Sequence, residues 1–214
     1  MKYKLVLFDL DGTLINTDEM IVSVFEKLYK KFRDGKMTPK NDIYYFSGPP
    51  LIDTVKKEFP DLDPYFMMSE YAKIAPTVYA DTVTLYDDAI DVINKIKLLG
   101  IKIGVVTNKG KTSALFALKH FNISNLFDIV ITLDDVKNGK PDKEGMLLAM
   151  KELNIENPKE VLYVGDNKVD YISADNAGID SALVVWGPRV LDNNINPTVK
   201  ISSYKELLDY VKKS

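Results

Sequence analysis

The chain has 214 residues, 46% hydrophobic and 28% charged, with a formal net charge of -3. This is the composition of a globular protein with a sizeable core, not of a disordered one, and it offers no excess positive charge for nucleic acid or an acidic membrane. Cysteine is absent and His120 is the only histidine, which excludes disulfides and thiolate zinc sites and leaves little for a Ser-His-Asp or His-metal enzyme.

No apolar run reaches bilayer length. Met1-Lys2-Tyr3-Lys4 leads straight into a strand, without the apolar stretch and cleavage site of a signal peptide. The expectation is a cytoplasmic protein that binds neither nucleic acid nor membrane.

The first strand carries the most informative residues. Leu5 to Phe8 is a short apolar run ending in Asp9 and Asp11, as a buried strand of a parallel sheet would read. In such sheets ligands gather beyond the carboxyl ends of the strands. Residues two apart on extended chain point the same way, so Asp9 and Asp11 face one site. Gly12 allows a sharp turn and a close approach to the backbone. Two carboxylates this close call for a bridging cation or a shared proton. Both suit phosphoryl transfer, in which one carboxylate attacks phosphorus and the other moves protons. An Asp-Gly turn with Asp9 as a local cap is the plainer alternative.

Thr17 then stands as an N-cap, with Asp18 and Glu19 in a first helical turn. Met20, Ile21, Val24, Phe25, Leu28 and Phe32 follow at helical spacing, and Gly35 lies past the end. Residues 41–48 read as a turn-rich connection. Pro50 opens a second helix and Asp63-Pro64 a third, over residues 65–75. Residues 17–83 are therefore a run of helices without a strand, placed to form a lid over the strand ends.

From residue 84 onward strands and helices alternate. Helices are predicted at 89–99, 111–120, 142–153, 171–177 and 203–212, and strands at 101–106, 129–132, 161–164 and 182–185. The alternation is that of a doubly wound parallel α/β sheet. The expected organisation is a core of residues 1–16 and 84–214 with a helical cap at 17–83.

Each later strand runs into polar residues. Thr107-Asn108-Lys109-Gly110 offers a hydroxyl, an amide and free N–H groups before a helix, as an anion cradle or as an ordinary cap. Lys140-Pro141 sets a lysine ahead of a helix, in a site or in solvent. Gly165-Asp166-Asn167-Lys168-Val169-Asp170 repeats the strand-then-carboxylate pattern, with Asp170 as a second acid or a helix cap. Together they place carboxylates, a hydroxyl and an ammonium on one sheet edge, a self-consistent phosphoryl site. With oxygen ligands alone available, magnesium is favoured over zinc.

Asp9-Leu10-Asp11-Gly12-Thr13, Thr107-Asn108, Lys140-Pro141 and Gly165 to Asp170 resemble, in order, the four motifs of the haloacid dehalogenase superfamily. The resemblance covers nearly the whole chain. It is closest to phosphoglycolate phosphatases and related bacterial pyrophosphatases, through residues 8–17, Gly48-Pro49-Pro50-Leu51, residues 130–136 and Asn176-Ala177-Gly178. It implies a magnesium-dependent phosphohydrolase working through an aspartyl-phosphate on a small metabolite, phosphoglycolate or pyrophosphate first. It assigns Asp9 as nucleophile and metal ligand, and Asp11 as acid/base with its carbonyl on the metal. Thr107, the Asn108 backbone and Lys140 become phosphate-binding groups, Asp166 a metal ligand, and Asp170 a support for the metal or its waters.

Gly48 and Pro49 are candidates for substrate specificity at the cap edge, or simply a loop and the start of a helix. No arginine or histidine of the cap stands out as a substrate reader. Asp87-Asp88-Ala89 departs from the proline-glycine turn that relatives often carry there. A sugar-phosphate mutase is the alternative use of the same intermediate. A phospho-accepting signalling module is a more distant one, because the chain is too long for it and the helical insertion would be unexplained. The expected assembly is a monomer or weak homodimer.

Overall fold

A computed structural model describes residues 2–190 and 194–214. Its centre is a six-stranded sheet in the order β5-β4-β1-β6-β7-β8. The strands are β1 (Leu5–Phe8), β4 (Lys102–Val106), β5 (Ile129–Ile131), β6 (Val161–Gly165), β7 (Asp180–Val184) and β8 (Val199–Ile201). Every pairing in this sheet is parallel.

All four residues of β1 are fully buried, as expected for a strand covered on both faces. Val6 and Phe8 join the larger core cluster, and Leu5 and Leu7 join the smaller one. Burying each such side chain contributes ~1.5–3 kcal/mol. The chain winds outward from β1 through β4 to β5, then returns to the other side of β1 with β6. Strand order therefore reverses between β1 and β6, which is where a doubly wound sheet opens a crevice for ligands.

The core helices are α5 (Ala89–Leu98), α6 (Lys111–His120), α7 (Glu144–Glu152), α8 (Lys168–Ala177) and α9 (Tyr204–Lys213). The helical segment holds α1 (Asp18–Phe32), α2 (Lys40–Ile43), α3 (Leu51–Glu58) and α4 (Pro64–Thr82). It leaves and rejoins the core through β2 (Ile15–Asn16) and β3 (Thr84–Leu85), a two-residue antiparallel ribbon. Phe25 of α1 anchors this segment. Its ring lies 4.7 Å from Phe46, 5.9 Å from Tyr71 and 6.5 Å from Phe59.

Several local expectations are corrected. Helix α4 continues through Pro76 to Thr82 instead of ending at residue 75, because packing against α1 and α3 outweighs one lost backbone hydrogen bond. Helix α8 starts at Lys168, since Asn167 and Asp170 form a reciprocal capping box. Thr17 occupies the N-cap of α1, yet its hydroxyl makes no capping bond; the Asp18 N–H donates to Asn16 Oδ1 at 3.2 Å instead. The two-residue ribbon and β8 are too short to show a period. Asp88 is left-handed, with φ +61°, a conformation that Asp enters at moderate cost and glycine freely.

Candidate active site

Asp9 immediately follows β1, and its N–H donates to the Val164 carbonyl at 2.9 Å, which fixes it beside β6. Its Oδ1 accepts from the Leu10 N–H at 2.7 Å and from Lys140 Nζ at 2.9 Å. Lys140 is 4% exposed and follows β5 in a loop whose Lys140–Pro141 bond is cis. Its ammonium also donates to Asp170 Oδ1 at 2.7 Å and Tyr163 Oη at 2.9 Å. All three of its protons are thus placed, with Tyr163 in turn donating to the Val106 carbonyl. Burial alone would push the Lys140 amine down, but the charges of Asp170 and Asp9 more than offset it and hold the ammonium above the ordinary lysine range.

Asp170 has no exposure. Its second oxygen accepts from the Asp166 and Asn167 N–H groups at 3.1 and 2.9 Å. Its carboxylate is fully committed to Lys140 and to the start of α8. Asp166, at the end of β6, completes a buried group of three carboxylates with Asp9 and Asp170, whose oxygens lie within 4.8 Å of one another. Burial pushes the Asp9 carboxyl up to about 6, opposed by Lys140 and reinforced by Asp170 and Asp11. Burial likewise pushes Asp166 up to about 7, against the pull of Arg189. The three carboxylates outnumber the two buried cations that touch them, Lys140 and Arg189, and the donors are all oxygen. That fits a hard divalent cation.

Asp11 faces the same space, with both oxygens on Lys109 Nζ at 2.8 and 3.1 Å. Thr107 lies beside it, after β4, its hydroxyl accepting from the Lys109 N–H at 3.2 Å. The Asn108 amide spans three pieces of chain. Its Nδ2 donates to the carbonyls of Lys140 at 2.9 Å and Gly48 at 3.0 Å, and its Oδ1 accepts from the Lys140 N–H at 2.7 Å. Asn167 Nδ2 donates to the Ser47 carbonyl at 2.9 Å. Two core amides thus pin the loop that carries Gly48 and Pro49 over the strand ends. Gly48 has φ +106°, and a Cβ there would lie 2.6 Å from the Asn167 amide, so both its backbone and its neighbour require glycine.

Two cations at the site carry no sequence expectation. Lys109 is one, although it lies within the strand-end motif after β4. The other is Arg189, one of the chain's two arginines, five residues beyond β7. Its Nε donates to Asp166 Oδ2 at 2.6 Å, and its Nη1 donates to Asp18 Oδ1 at 2.6 Å and the Tyr44 carbonyl at 2.9 Å. The buried Nη2 has no partner among the described residues. A Cβ at Gly12 would collide with the Asp166 carboxylate and this guanidinium. The available signal was an arginine just past the carboxyl end of a strand, the edge where the other site residues lie.

Over these groups lies a cavity of about 550 Å³ between the sheet edge and the helices α1, α3 and α4. That is more room than a site cut closely around phosphoglycolate or pyrophosphate needs, and within the range of sites that enclose a drug-sized ligand. Pro49 lines it beside Gly48.

The pattern of the chain as a whole has known counterparts. Residues 6–184 match the family model of haloacid dehalogenase-like hydrolases. The chain belongs to that family. It is a phosphatase-type hydrolase, and the superfamily resemblance read from the sequence is confirmed. The chain is 35% identical to pyrophosphatase PpaX of Halalkalibacterium halodurans over 216 aligned positions, spanning 99% of this chain and 98% of the relative. A crystal structure assigned as a haloacid dehalogenase-like hydrolase from Bacteroides fragilis superposes with a TM-score of 0.86 at 28% identity, covering 96% of this chain and all of that one. One assigned as a phosphoglycolate phosphatase from Lactobacillus plantarum shares the fold, with a TM-score of 0.85 at 21% identity, covering 98% and 99%. Phosphatases of this family are generally metal-dependent, and the buried aspartate triad is a group that could hold a metal. No helix among the described residues is long and apolar enough to cross a membrane.

Proposed function

We propose that this protein is a magnesium-dependent phosphohydrolase that cleaves a small phosphorylated metabolite through an aspartyl-phosphate on Asp9. The observation that carries the reading is the buried Lys140 ammonium, clamped by Asp170 and Tyr163 and aimed at Asp9 Oδ1 from 2.9 Å. This arrangement holds the carboxylate still at the carboxyl end of the central strand and places positive charge where phosphoryl charge would develop.

In the first step an oxygen of Asp9 bonds to phosphorus while the bond from phosphorus to the leaving oxygen breaks, and Asp11 gives that oxygen a proton. In the second, Asp11 takes a proton from water, whose oxygen attacks phosphorus. Phosphate leaves and Asp9 is restored. Thr107 and the Asn108 backbone hold the phosphoryl oxygens, and Lys140 offsets their charge. Asp170 positions Lys140. Asp9, Asp166 and the Asp11 carbonyl would hold magnesium, which supplies positive charge to the phosphoryl oxygens and to the crowded carboxylates.

The relatives' pyrophosphatase activity and the phosphoglycolate phosphatase assignment of a fold neighbour name the first two compounds to assay. The test is Asp9→Asn, nearly isosteric but unable to attack phosphorus. With p-nitrophenyl phosphate and magnesium, the wild type should release phosphate and a trapped phosphoprotein should map to Asp9. The variant should keep a wild-type melting curve and lose turnover. Retention of more than a few per cent of the activity would remove Asp9 as the nucleophile.

A further inference from the structure

The wall of the cavity opposite the aspartates is made of one helical stripe. Met68, Tyr71, Ala72, Ala75, Pro76 and Tyr79 of α4 line it, spaced by three and four residues so that they share one face. In most helices such a stripe is buried against protein. Here Ala72 and Pro76 are exposed and Met68, Tyr71 and Ala75 only half-buried, because the stripe borders open space. Phe25 of α1, Leu51 and Ile52 of α3 and Phe116 of α6 extend the same surface.

No charged side chain of the helical segment lines the cavity. Among the described residues the lining charges all come from the core: Asp9, Asp11, Asp134 and Lys109. Lys109 is already paired with Asp11, and Asp134 accepts from the Lys111 N–H at 2.6 Å. Two buried hydroxyls without partners among the described residues, Ser47 Oγ and Tyr79 Oη, border the same space. They are neutral donors and acceptors, suited to a neutral oxygen and unable to balance an anion.

Resting on the phosphohydrolase reading above, we infer that the preferred substrate is a phosphate monoester of a neutral, mainly apolar alcohol. Its organic part would lie along the α4 stripe. The second phosphoryl group of pyrophosphate, or the carboxylate of phosphoglycolate, would leave water for an apolar wall with no free cation opposite it, and burying an unpaired charge is strongly unfavourable. An alkyl or aryl chain gains from the same wall by losing its own contact with water.

The experiment compares kcat/KM for unbranched alkyl phosphates from ethyl to hexyl, together with pyrophosphate, phosphoglycolate and p-nitrophenyl phosphate. The alkyl leaving groups are nearly equal in basicity, so a trend in chain length reads binding to the wall. Each added methylene should raise kcat/KM about threefold to fourfold, the transfer value of a buried methylene, and hexyl phosphate should exceed pyrophosphate and phosphoglycolate. Ala72→Lys, at an exposed position of the stripe, should flatten the chain-length series and raise both competitors that carry a second anionic group at least tenfold. A flat or falling series, or a tenfold preference for pyrophosphate or phosphoglycolate over hexyl phosphate, would overturn the substrate class and leave the phosphohydrolase intact. No phosphate from any compound, including p-nitrophenyl phosphate, would instead overturn the phosphohydrolase reading itself.

Discussion

Replacing Arg189 by methionine tests the electrostatic arrangement of the site. The guanidinium is 3% exposed and lies 2.6 Å from both Asp166 and Asp18, whose side chains are 4% and 5% exposed. Methionine keeps much of the volume and removes the charge, leaving two buried carboxylates facing each other across the gap. At roughly 2–4 °C per kcal/mol for a chain of this length, the ~3–5 kcal/mol lost when one member of a buried pair is removed becomes a fall of roughly 6–20 °C in Tm. The loss should be larger at about pH 8 than at about pH 6, since protonation of Asp166 relieves the unpaired charge at the lower pH. Magnesium should shrink the gap if Asp166 is a metal ligand, because the cation then replaces the guanidinium. The assay is thermal unfolding of wild type and Arg189→Met in chelator and in excess magnesium at both pH values. A variant within about 2 °C of wild type in chelator at about pH 8 would refute the buried-pair account. An equal gap in chelator and magnesium would remove Asp166 from the metal site.

Three further outcomes are expected. Asp11→Asn should lower kcat for alkyl phosphates by ~10²–10⁴-fold, the usual size of proton transfer to a leaving group, and lose far less with p-nitrophenyl phosphate; equal losses would assign Asp11 a structural role. Burial raises Asp9 to about 6 and Asp166 to about 7 from 3.8. In metal-free protein their contribution to stability is therefore fully present below about pH 4 and is lost as pH rises through about 6–7. Magnesium binds the ionised forms, so its stabilisation measured by melting should be greater at about pH 8 than at about pH 5, and the reverse order would contradict these shifts. Gly48→Ala must adopt φ +106° against the Asn167 amide and should cost ~1–3 kcal/mol, lowering Tm and raising KM as the Ser47-Gly48 loop lifts from Asn108 and Asn167. An unchanged Tm would show that the loop has another low-energy path.

Much of the fold is written in local pattern. The apolar runs of β1, β4 and β6 and the helical stripes between them are periods that a few neighbouring residues create, so they survive in a one-dimensional reading. The acids of the first and last motifs were legible for a related reason. A polar residue ending a buried strand has nowhere to go but the sheet edge, so its position in the fold follows from its position in the sequence. Segments of two or three residues, such as β2, β3 and β8, carry no period and form only because a neighbouring strand supplies their hydrogen bonds. Helix α4 passes Pro76 for the same reason: packing across the segment, not local propensity, fixes its end.

What the sequence by itself determined was the doubly wound sheet, the inserted helices and which strand ends bear carboxylate, hydroxyl and ammonium groups. The tertiary structure decided how those charges pair. Arg189 meets Asp166 and Asp18 across 23 and 171 positions of chain, and Asn108 joins Gly48 to Lys140 across 60 and 32. Sequence spacing does not encode such contacts, because they depend on how strands of different order are laid side by side. The cavity has the same origin. A stripe such as Met68 to Tyr79 reads as core in any sequence, and only the packing of the helices against the sheet decides that this one borders open space beside Asp9 and Asp11.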